Sequence, residues 1–133
     1  MSLTLLATTL SLLTACNSGN QDSDSSGDST SSLTLKKYES MIADDPLVVV
    51  DFHATWCGPC QKMAPHLEKV KNDHPGKIKV IKIDTDENPE LAAVLNVTVL
   101  PTIKTYSNGK LVHDTIGYQS EASLLNIVGP YVR

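Results

Sequence analysis

The sequence from residue 48 to residue 60 constrains the fold of this chain more than any other stretch. It opens with an apolar, β-branched run and ends with Cys57 and Cys60, which are separated only by Gly58 and Pro59. Apolar residues then recur with helical spacing in the sequence that follows. This order predicts a buried strand, a tight turn and a helix, with two thiols at the junction. A Cys-x-x-Cys pair at such a junction indicates thiol–disulfide chemistry rather than packing.

The length and charge of the chain limit the number of domains and the kinds of partner that it can have. The chain has 133 residues, about the size of one domain. Its formal net charge of −4 and the lack of any run of Lys or Arg leave nucleic-acid binding without electrostatic support. Of the three cysteines, Cys16 lies far ahead of the pair and in a different context.

Residues 1–15 have the character of an export signal. They contain no charged residue and are rich in leucine, and the run is too short to span a bilayer as a helix. Residues 13–16, Leu-Thr-Ala-Cys, resemble the bacterial lipobox, in which the cysteine is acylated and becomes the mature N-terminus. We therefore expect a lipoprotein-type signal peptide over residues 1–15 and a lipid on Cys16. The alternative is an ordinary N-terminal segment with an incidental cysteine, since no positive charge precedes Cys16.

Residues 16–32 are predicted to form a disordered tether behind the lipidated cysteine. After Cys16 they are almost entirely Ser, Asp, Gly, Asn, Gln and Thr, which cannot bury enough apolar surface to offset the entropy of ordering. Such a segment has a root-mean-square reach of about 20 Å. It would hold a domain over residues 33–133 outside the cytoplasm, near a bacterial membrane, facing the periplasm if the host has an outer membrane.

Strand and helix patterns alternate through residues 33–133. The expected elements are a helix over 34–43, a strand over 47–54, a helix from 58 to about 72, a strand over 78–84, a helix beginning at 87–89, strands over 102–107 and 110–117, and a helix from about 120 to 128. The dipeptide Asn108-Gly109 predicts a hairpin between the last two strands. We expect an α/β fold with a mixed central sheet of four to five strands, flanked by helices on both faces, the fifth strand lying near residues 31–33.

With these motifs in place, residues 33–133 resemble thioredoxin over their whole length. The pentapeptide Trp-Cys-Gly-Pro-Cys over residues 56–60 matches the thioredoxin active site residue for residue. Asp51 falls at the buried acid of the family, and Lys82 at the lysine that faces that acid. Pro65 matches a proline inside the active-site helix.

Two further positions extend the resemblance to the partner-binding groove. Leu100-Pro101-Thr102 matches the loop whose proline is cis and lies beside the dithiol, and Gly117 matches a glycine of the groove. The resemblance implies a thioredoxin fold with no cofactor and no metal. It also implies a partner-binding surface made of Trp56, Gly58, Pro59, Leu100, Pro101 and Gly117.

The two cysteines are expected to have different roles. A thiolate, not a thiol, attacks a disulfide, and a helix N-terminus lowers the pKa of a thiol placed there. Cys57 lies at that end and should be the more exposed, because Cys60 lies one turn into the helix. We expect Cys57 to be the nucleophile and Cys60 to resolve the mixed disulfide. Asp51 would exchange the Cys60 proton; burial should raise its pKa, and Lys82 should oppose that rise.

The sequence departs from the thioredoxin pattern at His53, where the family usually has an aromatic residue, and at Thr98-Val99 before the proline. Strand alternation places Asp51 and His53 on one face. His53 therefore either modulates proton traffic between Asp51 and the dithiol or simply fills the aromatic site, and the second is favoured.

Several functions remain open at this point. A zinc site is disfavoured because His66 and His74 have the wrong spacing, and a static disulfide is disfavoured by the residues around the pair. The expected function is reduction of disulfides in exported proteins by a monomer that receives electrons from a membrane donor or a thioredoxin-reductase-type partner. The alternatives are an envelope disulfide oxidase or isomerase and a thioredoxin-fold binding module without turnover.

Overall fold

The computed structural model describes residues 32–43 and 45–133. The predicted signal peptide, Cys16 and all but the last residue of the predicted tether lie outside the described residues. The elements are α1 (Leu35–Ala43), β1 (Leu47–His53), α2 (Gly58–Asp73), β2 (Lys79–Asp84), α3 (Pro89–Val94), β3 (Thr102–Ser107), β4 (Lys110–Ile116), α4 (Glu121–Val128) and a 3-10 turn (Gly129–Tyr131). The predicted order of helices and strands is confirmed. None of the helices in the described ranges is long and apolar enough to cross a membrane.

Within the described residues the sheet has four strands in the order β2-β1-β3-β4. β1 pairs with β2 in parallel, whereas β1–β3 and β3–β4 are antiparallel. The mixed sheet is therefore confirmed. The prediction of a fifth strand near residues 31–33 is wrong for Ser32 and Leu33, which have no regular structure. The backbone N–H of Leu33 donates to the Asn88 side chain at 2.6 Å, so this donor is satisfied at the start of α3 and not by a sheet edge.

β1 lies in the interior with both faces covered, which explains its nearly continuous apolar sequence. Leu47 and Val49 pack with the buried side chains of α2 and α4. Val48, Val50 and Phe52 pack on the opposite face, against α1 and α3. Alternation along the strand puts Asp51 on the face that carries Val49, so a carboxyl group is buried beneath α2.

α2 begins immediately after the turn that follows β1. Cys57 is its N-cap residue, and the Cys57 Sγ accepts a hydrogen bond from the backbone N–H of Cys60 at 3.3 Å. Pro59 lies in the first turn, where its missing N–H leaves no intrahelical partner unsatisfied. The helix continues through Pro65 to Asp73 and buries Met63, Leu67 and Val70. The packing of β1 and α2 thus fixes the position of the dithiol.

Candidate active site

The two cysteines form a disulfide at the start of α2, with their Cα atoms 5.3 Å apart. They pack with Ala54 and Leu100. Cys57 is 4% exposed and Cys60 is 3% exposed, so in the disulfide form exposure does not distinguish them as the sequence predicted. What distinguishes them is position on the helix. The Cys57 sulfur caps the N-terminus, where unpaired N–H groups favour a thiolate.

Asp51 lies below the disulfide and is 2% exposed. Among the described residues, its Oδ1 atom has no hydrogen-bond partner. Burial raises the pKa of Asp51 to about 6, and positive charge on His53 and on Lys82 opposes that rise. The buried acid predicted from the sequence therefore has a pKa close to neutral pH, as a group that exchanges protons requires.

An open cleft of about 330 Å³ connects Asp51 to the dithiol. Its lining comes from β1, the turn after it, α2 and β2, and consists of Asp51, His53, Ala54, Thr55, Cys60, Gln61, Ala64 and Lys82. Asp51 and Lys82 are register partners on the two parallel strands. The structure thus brings three of the four predicted catalytic residues, Cys60, Asp51 and Lys82, together with His53 around one cleft.

The ammonium of Lys82 is directed to a residue that the sequence did not single out. Its Nζ atom lies 3.0 Å from the Glu68 Oε1 on α2, and the Lys82 side chain is 39% exposed. Among the described residues Asp51 forms no salt bridge. Lys82 therefore acts on Asp51 through the field in the cleft while its direct partner is Glu68.

The predicted partner surface surrounds the other side of the disulfide. The Leu100–Pro101 peptide bond is cis, and Leu100 packs on the two cysteines. Gly117 has a φ of 90°, which a side chain would strain, and its N–H donates to the Pro101 carbonyl oxygen at 2.8 Å. Exposed apolar side chains of Val99 and Ile116 adjoin these residues in sequence.

The remaining predicted surface residues lie at the turn before α2. Trp56 is 70% exposed to solvent. Its indole Nε1 donates a hydrogen bond to the Asp86 Oδ2 at 2.7 Å. Gly58 and Pro59 are exposed in the first turn of α2, and space is open around the position of a Gly58 Cβ. These three exposed residues directly flank the cysteines in sequence.

Sequence reasoning missed Asp86 and Glu68, for different reasons. Asp86 follows β2 as Trp56 follows β1, and the carboxyl ends of parallel strands meet at one edge of a sheet. That signal could have placed the two side chains together. Glu68 resembles any exposed acid on the outer face of a helix, and its pairing with Lys82 depends on how α2 packs over β2.

In the part of the chain that the structure describes, no group of three or more His, Cys, Asp or Glu side chains is placed to hold a metal ion. His66 instead lies 3.0 Å from the Tyr118 hydroxyl, and the His74 Nδ1 lies 2.9 Å from the Val70 carbonyl oxygen. Both histidines thus have partners within the fold.

A mixed sheet with a Cys-Gly-Pro-Cys disulfide at a helix N-terminus defines a thiol–disulfide oxidoreductase. The sequence profile of the thioredoxin family matches residues 29–129, and the chain belongs to that family. A thioredoxin of Alicyclobacillus acidocaldarius is 40% identical over 95 residues, which cover 71% of this chain and 90% of the relative. A thioredoxin-like protein of Synechocystis is 43% identical over 96 residues, covering 71% and 91%.

Solved structures of thioredoxins are also similar to this chain. A mutant thioredoxin from Halobacterium salinarum superposes with a TM-score of 0.69 at 31% identity and covers 77% of this chain and 88% of its own. Mitochondrial thioredoxin 3 of Saccharomyces cerevisiae, in its oxidized form, has a TM-score of 0.67 at 34% identity and covers 74% and 91%. The thioredoxin fold predicted from the sequence is confirmed.

Proposed function

We propose that this protein is a lipid-anchored, extracytoplasmic thioredoxin that reduces disulfide bonds of exported proteins. The observation that carries the proposal is the Cys57–Cys60 disulfide at the start of α2, with the buried Asp51 in the cleft behind it. A nucleophile, a resolving thiol and a proton acceptor are the groups that turnover of a disulfide requires.

In the proposed reaction the Cys57 thiolate attacks one partner sulfur, and the other leaves as a thiolate that takes up a proton from water. The Cys60 sulfur then attacks Cys57 in the mixed disulfide, gives its proton to Asp51 and releases the second partner thiolate. Two electrons pass to the partner, and the protein is left with the disulfide present in the structure. Because the Asp51 pKa is about 6, its carboxylate can accept a proton at neutral pH and return it to solvent through the cleft.

The partner would lie across the turn before α2 and the loop before β3. Trp56 supplies a flat apolar surface. Pro101 has no N–H with which to pair with an incoming segment. The resemblance to thioredoxin implies that the backbone of Leu100 offers the hydrogen bonds to an extended partner. The missing side chain at Gly117 leaves room for that segment. Such a surface selects extended, disulfide-containing chains more than a particular sequence.

A matched pair of cysteine variants tests the assignment of roles. Cys60→Ser should form a long-lived mixed disulfide with a protein disulfide such as that of insulin, because the nucleophile remains and the resolving thiol is gone. Cys57→Ser should form none. The reverse result would contradict the assignment. Full biological activity of Cys57→Ser would instead favour a binding module without turnover.

The direction of electron flow is tested by equilibrating the dithiol with glutathione. A potential near that of reducing thioredoxins, about −270 mV, supports a reductase, whereas one near −120 mV would place the protein among strong oxidants. Gly58 and Pro59 between the cysteines favour the reducing direction through the family resemblance. A reductase outside the cytoplasm requires an electron donor in the membrane or a reductase partner, because it is left oxidised after every turnover.

The proposed location rests on the sequence of residues 1–32. An apolar segment over residues 1–15, a cysteine at position 16 and a polar stretch up to residue 32 have the order of a signal peptide, a lipidation site and a tether. Membrane fractionation should recover the wild type with membranes and Cys16→Ala in the soluble fraction. Equal membrane association of the two would refute lipid anchoring at Cys16.

A further inference from the structure

The cleft contains an arrangement of charges that the proposed reaction does not by itself explain. Lys82 is the cation closest in register to the buried Asp51, yet its ammonium pairs at 3.0 Å with Glu68. The second carboxylate oxygen of Glu68 lies 3.7 Å from the Lys71 Nζ. Glu68 is thus held between two lysines on the outer side of the cleft.

We propose that Glu68 is a positioning residue, which holds the Lys82 ammonium at the mouth of the cleft and so keeps it from forming an ion pair with Asp51. This inference rests on the proposed proton exchange by Asp51. It concerns a residue that contacts neither the partner nor the reacting sulfurs.

The Lys82 ammonium has two carboxylates near it, those of Asp51 and Glu68. Lys82 and Asp51 are register partners on adjacent strands, which lie about 4.8 Å apart, and both line the cleft. A lysine ammonium on a flexible stem can move by several ångströms. Glu68 is half-exposed, so ionising it carries a smaller desolvation penalty than ionising the buried Asp51. The hydrogen bond from the Lys82 ammonium also lowers the pKa of Glu68 below its usual value. The ammonium therefore stays with Glu68.

The consequence for Asp51 follows from the groups that face it. Those that titrate or carry charge are His53 on β1 and Lys82 on β2, with Glu68 paired to Lys82. Cys60 on α2 joins them only in the reduced protein, because it is disulfide-bonded in the oxidised one. The β3 residue paired with Asp51 is Ile103, which has no charge. If the Lys82 ammonium moved inward, an ion pair would keep Asp51 ionised to lower pH, and it would become a weaker acceptor for the Cys60 proton.

The two ends of this salt bridge should therefore have opposite effects on Asp51. Glu68→Gln frees Lys82 and also removes a negative charge, and both changes should lower the Asp51 pKa, by about half a unit or more. Lys82→Met removes the cation and should raise the Asp51 pKa. A bridge that merely fastened α2 to β2 would leave only the direct effect of the removed Glu68 charge, and that effect would be the same with and without Lys82.

The Asp51 pKa is measured by NMR titration of the aspartate carboxyl carbons in the oxidised full chain, in which the two cysteines do not titrate. Asp51→Asn assigns the resonance. Glu68→Asp should restore the wild-type value, because a carboxylate remains. Asp73→Asn is the matched control, since it removes one acidic charge that pairs with Lys69 elsewhere on α2, and it should leave the Asp51 pKa unchanged.

The decisive variant combines Glu68→Gln with Lys82→Met. Its Asp51 pKa should lie only slightly below that of Lys82→Met alone, because Glu68 acts mainly through Lys82 and only the loss of its own charge remains. An unchanged or raised pKa in Glu68→Gln overturns the inference, and so does an equal fall with and without Lys82. Failure of the proposed proton exchange gives a different result, namely the same rate and pH profile of insulin reduction in Asp51→Asn and the wild type.

Discussion

Replacing Asp51 with Asn should stabilise the oxidised protein at neutral pH and give little stabilisation in acid. Burial raises the Asp51 pKa from 3.8 to about 6, a difference of roughly two units between the unfolded and folded states. At about 1.4 kcal/mol per unit, an ionised Asp51 destabilises the folded state by about 3 kcal/mol. Asn has nearly the same shape and never ionises, so the variant should not carry this penalty.

The pH dependence has a definite sign because the folded-state pKa lies above the unfolded one. Between about pH 4 and pH 6 the folded protein binds more protons at Asp51 than the unfolded chain does. The stability contributed by the protonated carboxyl is therefore present below pH 4 and is lost as the pH rises through 6. The advantage of Asp51→Asn should grow over this window and then remain constant.

Denaturant unfolding of the oxidised wild type and of Asp51→Asn, at several pH values from about 3.5 to 8, measures this difference. The buried amide of Asn introduces its own donor, which adds an offset that does not depend on pH. The diagnostic is therefore the change in the difference with pH. Asp73→Asn, at an exposed carboxylate, should show no such change. A constant difference for Asp51→Asn would refute the argument from burial.

Three further substitutions test the surroundings of the dithiol. Asp86→Ala removes the acceptor of the Trp56 indole N–H. It should slow reduction of protein disulfides several-fold and leave the rate with a small disulfide reagent unchanged. Equal losses of rate with both substrates would contradict a role of this contact in partner docking. Gly117→Ala forces a side chain onto a φ of 90° and should lower the free energy of unfolding by about 1–2 kcal/mol, measured in denaturant, with no loss if the backbone relaxes. His53→Trp should leave the dithiol potential at pH 7 within about 10 mV of the wild type; a larger shift would give His53 a part in proton traffic.

The elements that could be predicted from the sequence are those specified by local signals. The buried strand β1 follows from its apolar run, the β3–β4 hairpin from Asn108-Gly109, and the start of α2 from the Cys-Gly-Pro-Cys turn. The expected strand near residues 31–33 had no comparable local pattern. Ser32 and Leu33 lie outside the sheet because the Leu33 N–H is satisfied by the Asn88 side chain.

The parts of the site that could not be predicted depend on packing between elements. The sequence indicated Asp51 and Lys82 but not that Lys82 pairs with Glu68, since that contact requires α2 to cross β2 in one particular position. It also predicted a more exposed Cys57. In the disulfide form both cysteines lie beneath Leu100, so burial is nearly equal and only helix position separates their roles.

The strand order separates the residues proposed for proton transfer from those proposed for partner binding at the disulfide. β1 lies between β2 and β3, and the cleft is lined from β1, α2 and the β2 side of the sheet, where Lys82 lies. Pro101 and Gly117 belong to the opposite side, before β3 and after β4, and neither lines the cleft. A partner held on that side would cover Cys57 and leave the cleft open to solvent. In the proposed reaction, Asp51 could then release the proton taken from Cys60 while the mixed disulfide is still being resolved.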